Sequence, residues 1–150
     1  MAKINPKEVV VGLDVGRSGV KLAFLFNNEL KTHFIPSVVS PAKQFTFDAN
    51  PSVTKENTIE VDGQLFFVGE TAIEQGASQT VGLNDNWLEG VEHKALLQRS
   101  KTFLKSYGVI PRMVVAGLPI NTFNSSAELL FKQVKAIFGC AVLPVPQPWG

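Results

Sequence analysis

The sequence predicts an α/β domain. Its mixed sheet begins as a three-strand antiparallel meander and finishes as strand, helix, strand, with a small α+β segment inserted between the two parts. Three observations carry this. Val9-Val10-Val11 runs through Asp14 into a glycine-rich turn and leaves along Val20 to Phe26, the pattern of two paired strands. Two short apolar runs, Arg112 to Ile120 and Cys140 to Val145, flank an amphipathic helical stripe and read as buried strands, the first of them central and covered on both faces. Between these parts, Asp62-Gly63 joins two β-rich arms, Thr58 to Val61 and Gln64 to Val68, which is a strong hairpin signal.

The elements follow in order. Val20, Leu22, Phe24 and Phe26 fall on one face of an alternating run and Lys21 on the other, the period of a strand. Asn27-Asn28-Glu29 is a turn, and Leu30 to Val39 is a third strand ending near Pro36. From Ser40 to Pro51 the apolar pattern breaks, with Phe45 and Phe47 alternating as a short edge strand, so the chain leaves the first sheet there. Gly69 to Gly76 gives one or two helical turns closed by Gly76. A polar loop, Ala77 to Asn86, follows, and its Asp85 and Asn86 can cap the next helix. That helix runs from Trp87 to Tyr107, with Leu96, Phe103 and Tyr107 on one side, Leu88, Ala95 and Leu104 flanking them, and Gly108 as the stop. Ser125 and Glu128 form a capping box that opens the last helix. Leu130, Val134, Ile137 and Phe138 are its apolar stripe, and Gly139 ends it.

Composition narrows the function. A chain of 150 residues is long enough for a real core. A formal net charge of +1 with 18% charged residues makes no electrostatic case for nucleic-acid or membrane binding. The single Cys140 lies in an apolar run and reads as a small buried hydrophobe, and the two histidines, His33 and His93, are too far apart in sequence to suggest a metal cluster. His93 reads as a solvated or hydrogen-bonded helix residue. The first residues lack a signal-peptide core, and no apolar run reaches the ~20 residues of a spanning helix. A soluble, cytoplasmic protein is expected.

The turn from Asp14 to Lys21 carries the chemistry. Gly16 and Gly19 permit positive φ and close approach of backbone N–H groups to a ligand, and successive amides in such a turn form an anion-binding concavity. Ser18 adds a hydroxyl donor and Lys21 a point charge. Asp14 would repel a phosphate unless a cation lies between them, and hydrated Mg2+ suits that position. The glycine spacing, at 12, 16 and 19, fits neither a Walker loop nor a dinucleotide fingerprint, and no helix follows. Taken alone, the loop is equally compatible with a plain surface hairpin.

The element order, with Asp14, Gly16, Ser18 and Lys21 in the first turn, resembles the superfamily of actin, the seventy-kilodalton heat-shock chaperones and the sugar kinases, whose half-domains share a ribonuclease-H-like fold. More narrowly, Gly12 to Lys21, Ile35-Pro36-Ser37, Val61-Asp62-Gly63 through Phe67-Val68-Gly69-Glu70-Thr71-Ala72, and Val115 to Ile120 resemble the bacterial and archaeal actin-like proteins of the plasmid-segregation (ParM/StbA) group. That resemblance implies an actin ATPase half-domain in which residues 1–39 and 110–150 form the core and residues 40–109 a small inserted subdomain making filament contacts. It implies ATP and Mg2+ as cofactors. Asp14 would hold the hydrated metal, Gly16, Arg17, Ser18 and Gly19 would offer amides to the phosphates, Lys21 would neutralise charge, and Gln147 would orient the attacking water. It implies self-association into filaments that move plasmid DNA through a DNA-bound adaptor protein at a plasmid centromere. In that group the second phosphate loop and the adenine pocket lie beyond the position of Gly150, so weak or absent ATPase activity is expected of these residues alone. Other readings stay open at this point: a non-catalytic actin-like scaffold, to which the bulky Arg17 lends weight, a sugar or acetate kinase, and, last, a ribonuclease-H-type nuclease.

Overall fold

A computed structural model describes residues 7–42, 58–75 and 87–147. Phe45, Phe47, Gly76 and the capping pair Asp85 and Asn86 lie outside the described residues.

Strands β1 (Lys7–Val15) and β2 (Gly19–Phe26) pair antiparallel, with Val11 opposite Phe24 and Asp14 opposite Lys21. Asn27 and Asn28 turn the chain into β3 (Glu29–Pro36) with φ of 51° and 63°, left-handed values that asparagine tolerates better than most residues. The third strand ends at Pro36, the break expected within Leu30 to Val39. Pro36 has no N–H to continue a ladder, and Ser37 is bound to the first turn, its N–H donating to Ser18 O at 3.2 Å and its Oγ to Gly16 O at 2.7 Å. Val39 instead opens β4 (Val39–Pro41), which joins β5 (Thr58–Val61) and β6 (Gln64–Val68) in a second sheet of order β4-β6-β5. Asp62 and Gly63, at φ 50° and 82°, make the tight turn between β5 and β6 that the sequence signals.

A one-turn helix α1 (Glu70–Glu74) follows β6. The long helix is shorter than expected: Trp87–Glu89 forms a separate 3-10 turn, Gly90 is extended at φ −72° and ψ 151°, and α2 spans Val91–Tyr107. Gly108 ends it in the left-handed conformation. Strand β7 (Val109–Pro119) runs parallel to β1, and β8 (Ala141–Gln147) runs parallel to β7, giving a five-stranded sheet of order β3-β2-β1-β7-β8. Helix α3 (Ile120–Phe138) connects them. It begins at Ile120, ahead of the Ser125 capping box, which therefore lies inside the second turn. Pro119 as N-cap turns the strand straight into the helix, and Phe123 of the added turn packs on the core, a gain that outweighs a side-chain cap.

Helix α2 lies between the two sheets. Ala95, Leu96, Leu97 and Leu104 are fully buried, and one hydrophobic cluster runs from Val11, Leu22 and Val114 through them to Ile59 and Phe66. Each such Leu contributes roughly 2 kcal/mol by burial. Tyr107 is part-exposed but sets its ring edge-on to Phe24 and Phe26 at centroid distances of 5.4 and 5.2 Å, and Phe103 stacks on His33 at 3.7 Å. Helix α3 adds Leu130, Val134 and Phe138 to the same cluster. Both long helices thus cover one face of the five-stranded sheet. Strand β7 is central but not covered on both faces as expected: Val114, Ala116 and Leu118 are buried, whereas Met113 and Val115 on the opposite face are only half-buried. For the same reason β8 is a half-exposed edge strand rather than a buried one, and its Leu143 is exposed.

Candidate phosphate-binding site

The carboxyl ends of three parallel strands, β1, β7 and β8, meet at one edge of the sheet, the place where open α/β sheets collect ligands. Asp14 is the penultimate residue of β1 and Gln147 the last of β8. Gln147 Nε2 donates to Asp14 Oδ1 at 2.5 Å, across the end of the intervening β7. Gly117 of β7 makes this contact possible, since a Cβ there would sit 2.8 Å from Gln147 Nε2 and 3.1 Å from its Cγ. Sequence reasoning named Asp14 and Gln147 by separate routes and missed Gly117. A glycine within an apolar strand was the available signal. An ionised carboxylate only accepts hydrogen bonds, so the amide nitrogen must face Asp14 and Gln147 Oε1 is left as an acceptor.

The turn after β1 differs from expectation in two respects. Gly16 N–H donates to Gly19 O at 3.0 Å and closes the turn, so of the four amides expected to face an anion, that of Gly16 is used within the loop. Neither Gly16 nor Gly19 adopts a positive φ. What the loop needs from Gly19 is space: a Cβ there would lie 2.1 Å from the Phe34 ring and 2.9 Å from Ile35 O. Arg17 and Ser18 form the exposed tip, and Ser37 braces the loop from β3 through the two bonds to Gly16 and Ser18. Lys21 is exposed and is the cross-strand partner of Asp14, so both project on the sheet face that the helices leave open. The structure therefore brings Asp14, Lys21 and Gln147 together beside the loop of Gly16, Arg17, Ser18 and Gly19.

A single carboxylate beside an anion loop suits Mg2+, which keeps most of its waters and takes one or two carboxylates plus substrate phosphates. Among the described residues no three His, Cys, Asp or Glu side chains converge as a metal cage. The donor set thus fits a metal arriving with a phosphate ligand.

The remaining perturbed groups lie away from this edge. His93 is buried, its Nδ1 is 2.9 Å from Gln133 Oε1, and Gln133 Nε2 donates to Leu88 O. With its nitrogen committed to Leu88, Gln133 presents an acceptor, so Nδ1 carries the proton. Burial pushes the His93 pKa down to about 4, partly opposed by the bond to Gln133. Burial also raises the Cys140 thiol, which is only partly buried.

A five-stranded mixed sheet of this order, with a second small sheet packed through a shared helix, defines an actin-like fold. The chain belongs to the family described as actin-like proteins, N-terminal domain, whose match covers residues 12–142. Among solved structures it is similar to apo ParM from Bacillus thuringiensis, at 14% identity and a TM-score of 0.62 over 95% of this chain and 46% of that one. It is similar to a filament structure of AlfA from the Bacillus subtilis plasmid pLS32, at 15% identity and a TM-score of 0.60 over 92% and 55% of the two chains. It also resembles a non-polymerising MamK mutant bound to AMPPNP, at 19% identity and a TM-score of 0.58 over 95% and 42%. The chain thus spans about half the length of these structures. A comparison with curated proteins finds no match. No helix among the described residues is long and apolar enough to cross a membrane.

Proposed function

We propose that this chain supplies the phosphate-binding lobe of an actin-like ATPase that assembles into nucleotide-dependent filaments in the cytoplasm, in the service of plasmid DNA segregation. The observation that carries the reading is the Gln147–Asp14 contact at the carboxyl ends of β8 and β1, beside the Gly16–Gly19 turn. Phosphoryl transfer needs positioning and charge stabilisation more than covalent help, and these residues supply both. Arg17, Ser18 and Gly19 offer donors to the phosphates, Lys21 offsets their charge, and Asp14 would hold the waters of Mg2+. Bound Mg2+ would neutralise charge on the phosphate oxygens. Gln147, tied by Nε2 to Asp14, keeps Oε1 available to accept a hydrogen bond from an attacking water and so fix its direction. Filament structures of AlfA and MamK among the similar folds support self-association as the output, and AMPPNP in MamK and AlfA structures supports an adenine nucleotide as the ligand. In this reading residues 1–39 and 110–150 bind phosphate, residues 40–109 form the inserted subdomain that makes filament contacts, and a DNA-bound adaptor links the filament to its cargo.

Binding of a fluorescent ATP analogue, with and without Mg2+, tests the reading. The expected result is Mg2+-dependent binding that Asp14→Ala makes insensitive to Mg2+ and Lys21→Ala weakens. Binding that neither substitution alters contradicts it.

A further inference from the structure

Three polar side chains are fully buried among the described residues, Ser37, His93 and Ser100. His93 bonds to Gln133 and Ser100 to Leu96 O of its own helix, and neither bond touches the phosphate site. Ser37 reaches the Gly16–Gly19 turn. Its Oγ donates to Gly16 O at 2.7 Å and its N–H to Ser18 O at 3.2 Å. The turn does not need these bonds to close, because Gly16 N–H already donates to Gly19 O at 3.0 Å.

What the two bonds set is direction. In a trans peptide the C=O of one residue and the N–H of the next point opposite ways, and no peptide bond among the described residues is cis. With Gly16 O turned to Ser37, the Arg17 N–H faces away from it. With Ser18 O turned to Ser37, so does the Gly19 N–H. The direction of Gly19 is fixed a second way, since its O lies on the β1 side, where it accepts from Gly16, and a strand residue carries its N–H on the same side as its C=O. That is the side on which Asp14 ends its strand.

Ser37 itself is anchored away from the loop. Val38 N–H donates to Pro36 O at 2.8 Å, a three-residue turn centred on Ser37, and Val38 O accepts from Gly69 N–H at 2.7 Å. Gly69 approaches so closely that a Cβ there would lie 2.9 Å from Ile35 Cγ2. Both sheets therefore hold Ser37 in place independently of the loop.

We propose that Ser37 is a positioning residue for the phosphates: its Oγ aims the Arg17 amide, and its N–H the Gly19 amide, before a ligand arrives. This rests on the phosphate-binding reading of the turn and names the residue that pre-orients it. Donors fixed in advance bind an anion without first having to be ordered. The two bonds are separable, because a substitution of the side chain removes the bond that aims Arg17 and leaves the one that aims Gly19.

The test is NMR of the whole chain as wild type, Ser37→Ala and Ser37→Cys. Residual dipolar couplings in the free chain report N–H directions. The expected result is a changed coupling for Arg17 in Ser37→Ala, with the couplings of Gly19 and of β1 and β2 kept, which also confirms the fold. In a titration with Mg2+ and inorganic pyrophosphate, Ser37→Ala should bind about tenfold more weakly, the worth of one hydrogen bond to a charged group, and should lose the Arg17 amide shift while retaining that of Gly19. Ser37→Cys offers a similar shape but a weak donor and should behave as Ser37→Ala does. An Arg17 coupling unchanged in Ser37→Ala, or wild-type affinity for pyrophosphate, overturns the proposal. So does wild-type binding by Ser37→Cys where Ser37→Ala is impaired, since packing is then the cause. A wild-type turn that pyrophosphate leaves unmoved refutes the phosphate-binding reading and the proposal with it, and the couplings of the free chain tell that failure from a failure of Ser37 to aim the amides.

Discussion

His93 makes the fold acid-sensitive by a calculable amount. Its imidazole is buried and neutral, with a pKa lowered from 6.5 to about 4. Between those values the unfolded chain binds a proton that the folded chain refuses, so stability is fully present above pH 6.5 and is lost as pH falls towards 4. From these two pKa values, about 2 kcal/mol is lost by pH 5. For a domain of this size that moves a urea midpoint by roughly 1 M. His33, also shifted downward, chiefly by partial burial, adds a change of the same sign. Urea titrations at pH 7.5, 6 and 5 on the wild type and on His93→Gln measure the effect. The substitution keeps a donor for Gln133 but removes the titration, so its midpoint should be lower at pH 7.5 and fall much less with acidification. An unchanged pH slope in His93→Gln would refute the buried neutral imidazole as the source of the acid sensitivity.

Further outcomes follow from the glycines. Gly63 and Gly69 both have positive φ, at 82° and 70°, but a Cβ at Gly63 meets nothing within 4 Å whereas one at Gly69 lies 2.9 Å from Ile35 Cγ2. Gly63→Ala should cost about 1 kcal/mol of backbone strain and Gly69→Ala about 2 or more, readable as Tm losses of about 3 and 6 °C. Gly19→Ala should cost about 1–3 kcal/mol in denaturant titrations, because the Phe34 ring can swing away but Ile35 O cannot. Recovery in Gly19→Ala combined with Phe34→Ala would locate the cost at the ring, and no recovery would locate it at the carbonyl.

Much of the fold was legible because its signals are local. Alternation in Val20 to Phe26, Asp62-Gly63 and the left-handed stops at Gly108 and Gly139 each determine backbone geometry within a few residues. What sequence missed depends on contacts distant along the chain. The start of α3 is decided by Phe123 against the core rather than by Ser125. The half-exposure of β8 follows from both helices lying on one face, which no pattern within Cys140 to Val145 encodes. At the candidate site, Asp14 and the glycine turn were readable from residue type and spacing. Gln147 was named through a family resemblance, and the reason it reaches Asp14, the missing side chain at Gly117, appears only when β1, β7 and β8 are side by side. Gly16 shows the opposite failure: the residue was noticed, but its amide closes the turn instead of facing outward.

Backbone amide NMR of the chain titrated with Mg-ATP addresses the phosphate-binding proposal most directly, because chemical shifts register weak binding. The expected result is that the amides of Arg17, Ser18 and Gly19 move progressively together with the Gln147 side-chain amide, and that Asp14→Ala removes the dependence on Mg2+. Shifts confined to other parts of the chain, or a Gly16–Gly19 turn that remains unmoved at saturating nucleotide, would contradict a phosphate site at this end of the sheet.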